Sequence, residues 1–234
     1  MKSGTGMRGK HWIVNRIIAK ELKRIFPAYL SGRLIDIGCG DKPLAGLAAP
    51  YVSCHVGIDH AETQHRKNNI DIFAPCYDIP VDDASFDCAL CTAVLEHLEE
   101  PGKAIAECSR ILKLGGVAIC TAPFIWNLHE EPRDFFRFSK YGLAYLFETN
   151  GFKILELKAL AGFWVTGSIA LTHYLWKFRR KKGWASVFKP LFTLIPPFTL
   201  MIQAAAYLLD HLDKREEWTW MHLVVAQKIG TGAA

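Results

Sequence analysis

The sequence predicts an α/β fold: a doubly wound, mostly parallel sheet of seven strands with a helical insertion before the last strand. Three observations carry this expectation. Short apolar runs alternate with helical patterns from residue 34 to residue 157, which implies a parallel sheet covered on both faces. The stretch RLIDIGCGDKPLAGLAAPYVSCHVGID, Arg33–Asp59, sets a glycine-rich turn between two short runs that each end in an acid. An apolar, basic block over residues 160–219 then interrupts the alternation before a final short run.

The elements follow in order. Trp12, Ile13, Ile17 and Leu22 recur among basic positions over residues 11–26, an amphipathic helix that Pro27 should end. Leu34–Ile37 is the first buried strand, residues 44–49 a short helix, His55–Ile58 the second strand and Asn69–Phe73 a weaker third. Phe86–Cys91 is a strand, Pro101–Leu112 a helix opened by its proline, and Gly115-Gly116 should break it before strand Val117–Ala122. Ser139 is a good N-cap for a helix through Thr149, closed by Asn150-Gly151. Phe152–Leu157 and His222–Ala226 complete the seven strands. The domain division expected is 1–159 plus 220–230 for the sheet domain and 160–219 for the insertion.

Composition narrows the function classes. Half of the 234 residues are hydrophobic, enough for a sizeable core, and the net charge is only +5. Residues 160–219 hold eight Lys/Arg against four Asp/Glu, so the rest of the chain is nearly neutral. That balance argues against a broad nucleic-acid footprint. The seven cysteines all fall in the first 120 residues without framework spacing, as expected of reduced thiols in a cytoplasmic protein. Cys88 and Cys91 form a C-x-x-C, but in a strand an offset of three puts them on opposite faces, so no metal or redox pair is expected. The first residues, MKSGTGMRGKH, lack the apolar stretch of a signal peptide.

The turn after the first strand carries the most chemistry. Gly38 and Gly40 let backbone N–H groups come close to a ligand, with no Cβ in the way. Asp59, at the end of the second strand, stands where a carboxylate takes two hydrogen bonds from a ribose diol. Together they point to an adenosine-containing cofactor. Alternatives are a simple tight turn for the glycines and a helix cap for Asp59. Pro43 stands near where a nicotinamide-type fingerprint wants a third glycine.

Further motifs follow at fixed order. Asp78-Ile79-Pro80 precedes Asp82, Asp83 and Ser85-Phe86-Asp87. The next strand ends in TAVLEHL, Thr92–Leu98, and the following helix leads to ILKLGG, Ile111–Gly116. In this arrangement the run from Leu34 to Phe152 resembles the class I S-adenosylmethionine-dependent methyltransferases, in particular the small-molecule group related to ubiquinone-biosynthesis-type enzymes. The resemblance spans roughly half the chain. It implies a Rossmann-like methyltransferase fold and S-adenosylmethionine as cofactor. Asp36, Gly38 and Gly40 would line its methionine and ribose side, and Asp59 would hold the ribose hydroxyls. Asp78 would face the adenine amino group with Ile79 packed on the ring, and Thr92 and Ala93 would lie under the methionine moiety. Lys42 stands where the family often has a further glycine, so the turn is either more crowded or supplies an ammonium for the cofactor carboxylate.

The segment PFIWNLHEEPRDFFRFS, Pro123–Ser139, follows a strand whose carboxyl end borders the expected pocket, where ligands of such sheets bind. Relatives carry a similar His…Asp-aromatic-x-Arg pattern here. Polar groups among aromatics suit a substrate wall. If the acceptor is a hydroxyl, His129 is the best-placed base. Arg133, Asp134 and Arg137 are candidate substrate-binding residues, a guanidinium gripping an anionic group bidentately. The alternatives are that His129 only orders the loop and that Asp134 and Arg137 form a structural ion pair. Glu96 and His97 read as the start of a helix, with His97 a packing residue. No metal site is expected.

The insertion has two apolar stretches, 159–176 and 190–209, separated by Arg179–Lys182. Each approaches the roughly 20 residues that a bilayer needs. A two-span hairpin would place the basic cluster on the far side, against the positive-inside bias, and Pro196-Pro197 interrupts the second stretch. A pair of interfacial helices fits better, with Trp164, Trp176 and Trp184 at headgroup level and the basic cluster on anionic lipid. A pocket lid or a homodimer surface is the alternative. The expected function is methyl transfer to a small-molecule or lipid-linked acceptor, O-methylation favoured, by a cytoplasmic protein peripheral to the membrane face. The rivals are a non-catalytic cofactor-binding protein of the same fold and a nucleotide-dependent oxidoreductase, the latter disfavoured by Pro43 and the Asp78 segment.

Overall fold

Alternate residues of the central strands drop into two separate apolar layers, as a sheet covered on both faces requires. Leu34, Cys88, Leu90, Ile119 and Val225 enter one layer, while Ile35, Ala89, Cys91, Ala118 and Val224 enter the other. Cys88 and Cys91 thus sit in opposite cores. The computed structural model describes residues 10–63, 67–178, 193–213 and 215–230.

Seven strands form one sheet: β1 (Arg33–Ile37), β2 (Cys54–Asp59), β3 (Ile72–Phe73), β4 (Phe86–Thr92), β5 (Leu112–Pro123), β6 (Phe152–Ala159) and β7 (Met221–Lys228). Their order across the sheet is β3-β2-β1-β4-β5-β7-β6. β1 to β5 pair in parallel, and β7 runs antiparallel to both of its neighbours. The carboxyl ends of β1, β2, β4 and β5 therefore share one edge, and the start of β7 joins it.

Helix α1 (Trp12–Tyr29) covers one face through Ile13, Ile17, Leu22, Ile25 and Phe26, next to the short α2 (Ala45–Ala48). Helices α3 (Pro101–Ile111) and α4 (Lys140–Glu148) cover the other through Ile105, Cys108, Leu143 and Phe147. The Ser139 side chain accepts the Gly142 amide at 3.1 Å and caps α4.

Three sequence expectations shift. Pro27 does not end α1, which runs one turn further to Tyr29. The bond its missing N–H forgoes falls on the exposed side of the helix, at Lys23, while buried Phe26 and Leu30 hold the last turn down. Gly115-Gly116 is no helix breaker: α3 ends at Ile111, and β5 begins at once and carries both glycines. The third strand shrinks to two residues, Ile72 and Phe73.

Between β6 and β7 the chain forms helices α5 (Phe163–Phe178) and α6 (Ile195–Leu212). Pro196-Pro197 opens α6 in its first turn, where a missing N–H removes no helical bond. The Asp210 carboxylate takes the Gly162 amide at 2.7 Å and the Trp164 amide at 3.0 Å, binding the end of α6 to the start of α5. Gln203 donates to Thr172 at 2.8 Å, and Trp176 to Thr199 at 3.3 Å, across the helix pair. Arg179–Lys182 and Trp184 lie outside the described residues. Among the described residues, no helix is long and apolar enough to cross a membrane.

Candidate active site

Two groups of polar residues gather at the shared strand edge. The first surrounds the turn after β1. In register Asp36 pairs with Gly57, so Asp36, His55, Gly57 and Asp59 project from one face. Asp36 is 3% exposed, and His55 Nε2 faces its carboxylate at 3.2 Å. Burial pushes the Asp36 carboxyl above the usual range. Asp59 is 5% exposed; one of its oxygens accepts the Gly40 amide at 2.9 Å and the other the His60 amide at 2.8 Å. The carboxylate that closes β2 thus fixes the turn that leaves β1.

That turn is tight because its glycines permit it. Gly38 has φ +68°, and a Cβ there would lie 2.5 Å from Val94 Cγ2. Lys42, also at positive φ, runs back over Gly57 to pair with Asp71, and donates to the His55 carbonyl at 3.3 Å. Asp71 holds the Gly57 amide as well, at 2.7 Å. The Lys42 ammonium is therefore tied to the far side of β2, which corrects the suggestion that it reaches a cofactor carboxylate.

The other expected cofactor residues lie along the same edge. Thr92 ends β4 half-buried, and Ala93 follows it exposed, at φ +54°, its amide donating to the Thr121 carbonyl at 2.9 Å. Asp78 is exposed in the loop after β3. Ile79 is buried at 1% exposure, its amide held by Glu107 at 2.7 Å. This edge fits an adenosine-type group: Asp59 keeps a lone pair on each oxygen for a diol after accepting its two amides, and neither Gly38 nor Gly40 adds a side chain to the turn.

The second group comes from the loop after β5. The Arg137 guanidinium grips Asp134 bidentately at 2.7 and 2.8 Å and donates to the carbonyls of Trp126, Asn127 and Phe136. These bonds hold the Asp134 carboxyl well below the usual range. Asp134 also accepts the His129 amide at 2.9 Å and faces His129 Nδ1 at 3.3 Å. Asp134 and Arg137 thus use their polar atoms on each other and on the loop. Arg133 is exposed and makes no ion pair among the described residues.

Glu96, expected only to open a helix with His97, stands at the centre of this group. It sits in a 3-10 turn, Leu95–His97, rather than opening a helix, and is 1% exposed. Its carbonyl accepts the amides of Phe135 and Phe136, which folds the loop over it. Its carboxylate lies 3.9 Å from His97 Nε2 and 4.0 Å from His129 Nε2. Burial pushes its pKa up to about 8 and lowers that of His129. The signal available in the sequence was an acid beside a histidine at a strand end, with a second histidine in the next strand's loop.

Comparison with known proteins agrees with this geometry. Residues 35–120 match the methyltransferase domain family. A probable S-adenosylmethionine-dependent methyltransferase of Mycolicibacterium smegmatis is 28% identical over 147 residues, 60% of this chain and 55% of that protein. A ubiquinone biosynthesis O-methyltransferase of Maricaulis maris is 32% identical over 104 residues, 38% of this chain and 39% of that protein. The chain therefore spans less than two thirds of these curated relatives. The crystal structure of a SAM-dependent methyltransferase from Archaeoglobus fulgidus superimposes with a TM-score of 0.58 at 14% identity, covering 94% of this chain and 97% of that one. Residues 35–120 are a methyltransferase domain, set in a chain that has the seven-stranded class I S-adenosylmethionine-dependent methyltransferase fold.

Proposed function

We propose that the chain transfers a methyl group from S-adenosylmethionine to a small-molecule or lipid-linked acceptor, with oxygen the favoured atom. The observation that carries this reading is the Asp59–Gly40 bond, which presents a glycine turn and a half-satisfied carboxylate together at the strand edge. The cofactor supplies the reactive methyl sulfonium. The protein's part is to align the acceptor and exclude water. In this reading Asp36, Gly38, Gly40, Asp59, Asp78, Thr92 and Ala93 border the cofactor, and Ile79 supports that wall from the core. His129, kept neutral by burial, takes the acceptor proton. Arg133 meets an anionic group of the acceptor, and Asp134 with Arg137 frames the loop.

The insertion supports a lipid-facing acceptor. Helix α6 buries Thr199 and Gln203 and exposes Phe198, Met201, Leu208 and Leu212, the last at 83%. Helix α5 likewise buries Thr166, Ser168 and Thr172 while exposing Phe163, Trp164 and Leu171. Val165, Ile169 and Ala206 anchor the pair to the core, yet large apolar side chains remain on its outer side while hydroxyls and an amide fill the seam, more apolar surface than a water-facing helix pair leaves. With Arg179–Lys182 beside it in sequence, this surface suits an anionic lipid interface. The test is to supply labelled S-adenosylmethionine and the protein to lipid and polar extracts separately. Label in the lipid fraction is expected; label in neither fraction contradicts methyl transfer, and label in the polar fraction alone contradicts the lipid-linked acceptor.

A further inference from the structure

The cluster of Glu96, His97 and His129 has a polarity that its own atoms do not satisfy. His97 Nδ1 lies 2.5 Å from the Arg133 carbonyl, so that nitrogen carries the hydrogen and Nε2 carries the lone pair. His129 Nδ1 lies 3.3 Å from the Asp134 carboxylate with no hydrogen bond formed, so this ring is short of a partner. Both Nε2 atoms turn toward Glu96, at 3.9 and 4.0 Å from one carboxylate oxygen. These separations are too long for hydrogen bonds. The other Glu96 oxygen is buried with no hydrogen-bond partner. One donor atom from each of the three residues lies within 4.8 Å of the other two.

We propose that Glu96, His97 and His129 bind a divalent first-row cation, of which zinc is the representative. A cation with bonds of about 2.0–2.2 Å to nitrogen and oxygen holds its ligands roughly 3.4 Å apart, so a small closure of this cluster completes the site. Two imidazoles and one carboxylate suit zinc, cobalt, manganese or iron(II) rather than calcium or magnesium. His97 already has the outer partner that metal-bound histidines use, the Arg133 carbonyl, and His129 Nδ1, buried without a hydrogen bond, has the Asp134 carboxylate 3.3 Å away to turn to when the cluster closes. Three protein ligands leave a coordination position open, and His97, His129 and Glu130 line the half-exposed side of the cluster, where water or an acceptor oxygen can enter. With a cation bound, His129 Nε2 would be a ligand and no longer the proton acceptor; the cation would lower the pKa of a bound acceptor hydroxyl so that its proton could pass to water. The inference builds on the loop being the acceptor wall, but the binding it asserts needs neither cofactor nor acceptor.

The test is equilibrium dialysis of untagged, chelator-stripped protein against zinc and cobalt, with the visible spectrum of the cobalt form. One ion per chain and d–d bands of a four- or five-coordinate site are expected. Glu96→Gln, His97→Asn and His129→Asn should each weaken binding by about a hundredfold or more, beyond the ~10–100-fold that loss of an outer partner costs. S-adenosylmethionine calorimetry on the same samples reports folding and the cofactor reading independently. Absence of a stoichiometric ion in the wild type overturns the proposal. So does binding that is unchanged in the half-exposed His97→Asn and His129→Asn variants.

Discussion

Asp59, at the end of β2, accepts the Gly40 amide across the turn that leaves β1, at 2.9 Å. The side chain proposed to hold the ribose therefore also fixes the local fold. Asp59→Asn puts an amide N–H against either the Gly40 or the His60 amide, so one bond is lost whichever way it turns. Unfolding by urea should show a loss of about 1–3 kcal/mol, the range for orphaning one buried donor. An unchanged midpoint would mean that the turn holds itself.

Gly57 lets Lys42 cross β2 to reach Asp71. A Cβ at Gly57 would meet the Lys42 side chain and lie 2.7 Å from Cys39 Sγ. Gly57→Ala should cost roughly 1–3 kcal/mol by overpacking and release Lys42 from Asp71. Thermal melts check the first, and weaker protection of the Gly57 amide against hydrogen exchange checks the second.

Arg137→Lys keeps the charge but not the fork. Asp134 loses its bidentate partner, and three carbonyls lose their donor. The loop from Phe124 to Phe138 should become the first site of limited proteolysis, with a stability loss of about 1–3 kcal/mol.

Two buried groups give opposite pH responses. Burial lowers the His222 pKa from 6.5 to about 4, so between those values the unfolded chain takes up a proton that the native one refuses. This contribution makes stability fall as pH drops through that window and level off below it. Burial raises Glu96 from 4.5 to about 8, so there the native state binds more protons, and its contribution is lost as pH rises toward 8. Urea titrations in chelator should therefore show a shallower acid-side loss in His222→Gln. Glu96→Gln should gain stability over wild type above pH 8, where the buried carboxylate no longer has to ionise.

Met201 and Leu208 stand outward on α6. Replacing both with Glu should reduce flotation with anionic vesicles at least tenfold without lowering the melting temperature. Equal flotation would assign that face to a lid or a second copy of the chain.

Much of the sheet was legible because buried strands announce themselves as short apolar runs, and Leu34, Phe86 and Phe152 all open strands or lie one residue inside them. What misled were residues whose local preference was overruled. Gly115 and Gly116 look like a break, yet pairing with β4 and β7 draws their neighbours into β5. Pro27 looks like a stop, yet only a water-facing bond was at stake. The glycine turn and its carboxylate were readable as one unit because Gly38, Gly40 and Asp59 lie close in sequence. Glu96 was not, since its burial depends on Phe135 and Phe136, nearly forty residues later, folding their amides onto its carbonyl. The exposed apolar side of α5 and α6 was hidden as well, because hydropathy reports how apolar a helix is and not which side it turns outward.

The most direct measurement is calorimetric titration of the full chain with S-adenosylmethionine, wild type beside Asp59→Ala. One saturable site per wild-type chain is expected, and its loss in the variant. No heat and no competition by S-adenosylhomocysteine in folded wild-type protein would contradict it.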